Sequence, residues 1–268
     1  MKTILYSIIL LPLFTNFILA QDSTFNYPSR SNIQSEIKNS IVKIDSIFRY
    51  KYSLINDAES EQDIQEFYVE FFAKIINTSN PENWISLVSK KTLPVVIWES
   101  NNKMHDLKPN YELDGFFFES LGFPKIINYY IAGYVDEPEF NEGDAPPYKA
   151  TTGLNVFKNS LKGITLGPWL PDSSISLEAF TDTLQTFHSR SCEELGWITN
   201  KGICNSLEVK IRNVKRHLER GKAKQAGNVL NAFLSEVQAQ RGKHITEEGY
   251  ALLYYNAQYL QQRINELE

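Results

Sequence analysis

The fold class read from the sequence is an α+β N-terminal domain followed by an all-α three-helix bundle. Three observations support it. Apolar residues recur at helical spacing early in the chain, short β-branched and aromatic runs follow in its middle, and three apolar stripes separated by glycine turns close it. At 42% hydrophobic and 13% aromatic, the 268-residue chain has the side chains for a real core.

Residues 1–20 read as a signal peptide. Lys2 supplies the positive charge, Ile4 to Leu13 is an almost unbroken apolar run, and Ala20 is small enough for cleavage. The run is shorter than the roughly 20 residues that span a bilayer. A transmembrane anchor is therefore the weaker alternative, and no membrane span is expected after cleavage. Residues 21–31, with Pro28, read as a flexible lead-in. The implied location is secreted, periplasmic or cell-surface. In an oxidising compartment the two cysteines, Cys192 and Cys204, are expected to pair as a disulfide within a connector over 191–204.

Residues 32–190 are assigned to the α+β domain. Ile33, Ile37, Ile41, Ile44 and Phe48 predict a first helix. Ile64, Phe67, Tyr68, Phe71, Phe72 and Ile75 predict a second, and Pro81 starts a short third through Trp84 and Val88. Leu93–Trp98 and Lys125–Val135 predict strands, whereas Gly115–Leu121 is ambiguous. Asp136–Tyr148 reads as an acidic surface loop, Gly153–Phe157 and Gly163–Leu166 as a hairpin, and Ser176–His188 as a helix. This order of elements, helices and then sheet, resembles the NTF2-like cone, a fold that hosts both enzymes and binding modules.

From residue 205 to 268 three helices are expected. Asn205 and Glu208 suggest a capping box, followed by Leu207, Ile211, Val214 and Leu218. Gly221 and Gly242 are placed to end helices. The second stripe is Ala226, Val229, Leu230, Phe233, Leu234 and Val237. The third is Tyr250, Leu253, Ala257, Leu260, Ile264 and Leu267, after an N-cap at Thr246. The run Leu230-Asn231-Ala232-Phe233-Leu234, then Ala239-Gln240-Arg241-Gly242-Lys243 and Thr246-Glu247-Glu248, resembles the FIMAH domain, a small helical module of exported bacterial proteins. The segment Cys192 to Asn200 resembles the connector that leads into it. The resemblance implies an accessory module without catalytic residues, found on enzymes and non-enzymes alike.

Charge is uneven: 16 Lys and Arg face 25 Asp and Glu over residues 21–203, against 10 and 7 over 204–268. Lys210, Arg216, Arg220 and Lys222 form a candidate anion-binding cluster, set against the plainer reading of a solvated helix face. Trp84, Trp98, Tyr130 and Tyr134 are candidate walls of a ligand pocket, set against a place in the core. The histidines His105, His188, His217 and His244 read as surface or capping residues. No metal site is expected, because no further Cys or paired His lies near the cysteines in sequence. No cofactor fingerprint, catalytic motif or nucleic-acid signature is present. Two functional readings follow. One is an exported non-catalytic protein that binds a small ligand or an extracellular protein or polymer. The other is a secreted hydrolase or lyase with its site in the α+β domain.

Overall fold

A computed structural model describes residues 29–91, 93–136, 157 and 159–267. The signal-peptide region, most of the lead-in, and the 137–156 part of the acidic loop and first hairpin strand lie outside the described residues. Sheets come first and helices follow, so the α+β-then-helical class holds. Among the described residues nine strands form two antiparallel sheets. They are β1 (Ser35–Ile44), β2 (Ile47–Asn56), β3 (Ile64–Glu70), β4 (Ile75–Ser79), β5 (Trp84–Ser89), β6 (Val95–Ser100), β7 (Tyr111–Ser120), β8 (Phe123–Gly133) and β9 (Leu161–Trp169). One sheet is ordered β1-β2-β7-β4 and the other β5-β6-β3-β8-β9.

The three helices expected before residue 90 are therefore strands, and the likeness to an NTF2-like cone is not confirmed. The cause is arithmetic. Side chains four residues apart share a face on a helix, but they also share a face on a strand, where every even spacing does. Ile37 and Ile41 satisfy both patterns; Ile44, three residues on, separates them, and it is 46% exposed. In β2 the alternation is plain, with Phe48, Tyr50, Tyr52 and Leu54 all buried. The β1–β2 turn is the two residues Asp45 and Ser46, with Asp45 at φ 55°, as tight hairpins require. The central strand β3 is buried on both faces, Phe67 and Val69 on one and Tyr68 and Glu70 on the other. Such a strand shows no alternation and imitates a buried helix.

The sheets meet through aromatic rings. Tyr52, Phe116 and Phe118 of the first sheet pack on Phe67 and Trp98 of the second, with Phe67 and Trp98 stacked at 5.2 Å and Tyr50 stacked on Phe118. The end of the lead-in is tied down: Arg30 donates to the Gly133 carbonyl and pairs with Glu66 at 3.0 Å.

Four helices follow among the described residues, α1 (Leu177–Glu193), α2 (Lys201–Leu218), α3 (Ala223–Gln240) and α4 (Glu247–Asn265), so the expected bundle of three gains α1, the Ser176–His188 helix assigned to the α+β domain, which packs on α2 and α4. Each expected signal has a physical outcome. Ser176 caps α1 and Thr246 caps α4. α2 begins earlier than the Asn205 capping box suggests, because Asn200 accepts from the backbone N–H groups of Gly202 and Ile203. Gly221 and Gly242 sit at φ 66° and 68°, the left-handed conformation that lets a helix stop. The Cys192–Cys204 disulfide forms, with Cα atoms 6.1 Å apart, and closes a loop whose crosslink contributes on the order of 3 kcal/mol. No helix among the described residues is long and apolar enough to cross a membrane.

α4 is buried on two faces. Leu253, Ala257, Leu260 and Ile264 are buried as expected, with α4 lying mainly against α3 and α1, whereas Leu267, assigned to the same stripe, is 67% exposed past the helix end. The second face was not anticipated. Tyr255 packs on Phe48 at 5.1 Å and Tyr259 on Phe123 at 4.8 Å. Asn256, fully buried, donates to the carbonyls of Pro124 in β8 and Leu252 in α4.

Two stability predictions follow. Phe233 is fully buried, so Phe233→Ala should cost about 3–5 kcal/mol in chemical denaturation; an unchanged midpoint would remove Phe233 from the core. Asn256→Ala strips the Pro124 carbonyl of a buried donor and should cost about 1–3 kcal/mol, read by the same measurement.

Candidate functional site

The four candidate pocket aromatics are divided between the interior and the outer side of the second sheet. Trp84 and Trp98 are 3% and 0% exposed and both meet Phe116, at 5.2 and 5.7 Å. Their indole N–H groups donate to the carbonyls of His105 and Ser79, so even their polar edges are used internally. Tyr130 lies on the other face of the second sheet, where its hydroxyl donates to Glu70 and its ring meets Phe157. Tyr134 stands at the surface, with its hydroxyl on Asp136 and the Lys103 ammonium 4.0 Å above its ring.

The candidate basic cluster is split. Lys210 is neutralised by Glu236 at 2.6 Å and also donates to Ser206. Arg216, Arg220 and Lys222 are exposed at the α2–α3 turn, where cations favour the negative end of α2.

A further concavity is one the sequence did not suggest. A groove of about 790 Å³ runs over the outer face of β1, β2 and β7 to the first turn of α4. Its basic side chains are Lys38, Arg49 and Lys51; its acidic ones include Glu112 and Asp114 from the sheet and Glu247 and Glu248 from α4. Pairing orders part of it. Lys38 meets Glu112 at 3.0 Å, and this hydrogen bond, helped by Ser53, holds the Glu112 carboxyl below its ordinary range. Arg49 grips Glu119 at 2.6 Å and lies over the Phe117 ring at 5.0 Å. Lys51 has no ion-pair partner among the described residues. Glu248 closes one end by accepting the backbone N–H of Asn39 on the edge strand β1, which covers an otherwise unpaired edge.

On the opposite side of the molecule the β3–β6 register sets Glu66 directly across from Glu99. Burial, and then the Glu66 charge, push the Glu99 carboxyl above its ordinary value, with Arg30 pulling the other way. The Tyr68 hydroxyl donates to Glu66. No sequence motif pairs these two acids; the strand register does.

A third site surrounds the disulfide. His188, expected at the surface, is 3% exposed. One ring nitrogen, Nε2, lies 3.0 Å from the Cys204 carbonyl and 3.5 Å from Cys192 Sγ. Burial pushes its pKa down, against the pull of the Cys204 carbonyl and of Glu208 and Glu193. The signal available in sequence was the four-residue spacing of His188 and Cys192, which share a helix face once α1 forms.

No curated protein matches this chain. A solved structure, an uncharacterized protein from Nocardia farcinica with an immunoglobulin-like fold, is similar over 42% of this chain and 90% of its own, at 12% identity and a TM-score of 0.28. The family model of the FIMAH domain matches residues 181–262, from within α1 to the last turn of α4, so the helical segment is the FIMAH-like module that its turn residues suggested.

Proposed function

We propose that this chain is an exported, non-catalytic binding protein whose charged groove takes an extracellular protein or polymer, with the FIMAH-like helices as an accessory module. One observation carries the reading: the groove is walled by the first sheet and by the N-terminal turn of α4 together. A partner seated there would touch both parts of the molecule at once. Its mixed charge suits a partner that presents both signs, and such contacts set specificity more than raw affinity. The disulfide and the FIMAH match are compatible with an extracellular protein.

The juxtaposition of Glu66 and Glu99 favours a second reading, a secreted hydrolase or lyase. Two carboxyls set side by side, one of them raised by burial and by its neighbour, are the kind of pair that acid–base cleavage uses.

The two readings separate experimentally. Purified chain, screened against immobilised extracellular polysaccharides and peptides, should bind in a salt-sensitive way. Lys51→Glu combined with Glu112→Lys should weaken that binding about tenfold, the order expected for reversed charges at a contact. Equal affinity after reversal removes the groove from the function. For Glu99 the sign is as follows. A carboxyl whose folded pKa is raised loses stability as pH climbs from its unfolded value through its folded one. Glu99→Gln should therefore raise the melting temperature near neutral pH and lose that advantage in acid. Turnover of glycoside, ester or peptide substrates that Glu99→Gln abolishes would instead establish the hydrolase reading.

A further inference from the structure

The cysteines and His188 form a cluster that the disulfide alone does not explain. His188 and Cys192 project from one face of α1, and Cys204 faces them from the first turn of α2. One donor atom from each lies within 4.8 Å of the other two. Tetrahedral zinc, with bonds of about 2.0 Å to nitrogen and 2.3 Å to sulfur, sets N···S near 3.6 Å and S···S near 3.8 Å. His188 Nε2 already stands 3.5 Å from Cys192 Sγ. The cysteine Cα atoms, 6.1 Å apart, leave room for the sulfurs to part by side-chain rotation.

The imidazole is buried, with Nε2 turned to Cys192 Sγ and the Cys204 carbonyl; binding a cation there takes Nε2 from that carbonyl. A polar cavity of about 360 Å³ opens against the same three residues and is also lined by Glu193 and Glu208. The cavity also gives a reductant access to the sulfurs, which are only half-buried.

We propose that Cys192 and Cys204 form a two-state site: a disulfide when oxidised and, after reduction by a dithiol, a zinc-class metal site ligated by His188 and both thiolates, with its fourth position open to the cavity. In the first step the dithiol passes two electrons and two protons to the S–S bond, leaving two protein thiols and a cyclic disulfide. In the second, each thiol releases its proton to solvent as its sulfur binds the cation. The backbone around the site is held without the crosslink. Ile198 N–H donates to the Ser191 carbonyl at 3.1 Å, Thr199 N–H to that of His244 at 2.9 Å, and Thr246 N–H to that of Trp197 at 2.9 Å.

The test uses the full chain, reduced anaerobically with a water-soluble phosphine, desalted and titrated with Co²⁺. The expected result is a thiolate-to-cobalt charge-transfer band that saturates at one equivalent, is absent from the oxidised protein and is displaced by Zn²⁺. Cys204→Ser should abolish the band. His188→Ala should weaken binding at least about tenfold, no less than the loss of an outer-shell partner does. His188→Gln, which keeps a donor for the Cys204 carbonyl but lacks the imidazole lone pair, serves as the second variant if alanine unfolds the turn. The proposal is overturned by a reduced protein that shows no band. It is equally overturned by His188 variants that keep wild-type affinity, or by helical circular dichroism lost on reduction and not restored by cobalt.

Discussion

Burial of α4 on two sides is the constraint from which the rest of this architecture follows. A helix that served only the bundle would carry one apolar stripe. This one also carries Tyr255, Asn256 and Tyr259, which reach Phe48 of β2 and Pro124 and Phe123 of β8, while Tyr259 meets Phe180 of α1 as well. The aromatic rings supply apolar area, and Asn256 supplies direction, since its amide satisfies a carbonyl in β8 and one in its own helix. Four helices of this size make a small core. Shared burial with the sheets relieves that shortage.

The same contact builds the groove. With α4 docked along the edge strand β1, Glu248 reaches the Asn39 backbone N–H and Glu247 stands beside the outer face of the sheet. The edge of β1 is thereby protected, and a flat sheet face acquires a wall. The aromatic residues that looked like ligand contacts are the price of joining two sheets. Trp84 and Trp98 bury large rings and spend their N–H groups on internal carbonyls, which leaves polar side chains to line the surface.

The helical third of the chain was legible because its signals are local. A capping oxygen, a left-handed glycine and a stripe of 3.6-residue period all act within one turn, so Thr246, Gly221 and Gly242 mean the same thing before and after folding. The strands were not legible because the pattern was degenerate. Ile37 and Ile41 fit helix and strand equally, and β3 is covered on both faces, which erases the alternation that marks a strand. The candidate sites divide along the same line. Cys192 and Cys204, close in sequence, were paired correctly, and the sequence-distant partners Glu66 and Glu99 were not seen at all.

By itself the sequence determined the helices after residue 176 and their stops, the likeness to a FIMAH module and the crosslink, because each rests on residues within a few turns of one another. Only the tertiary structure decided that residues 35–56 form a hairpin, that His188 faces the cysteines, that Glu99 stands against Glu66, and that a groove crosses from sheet to helix. Those outcomes depend on which surfaces remain to be buried once the chain has collapsed, a quantity that no local spacing encodes.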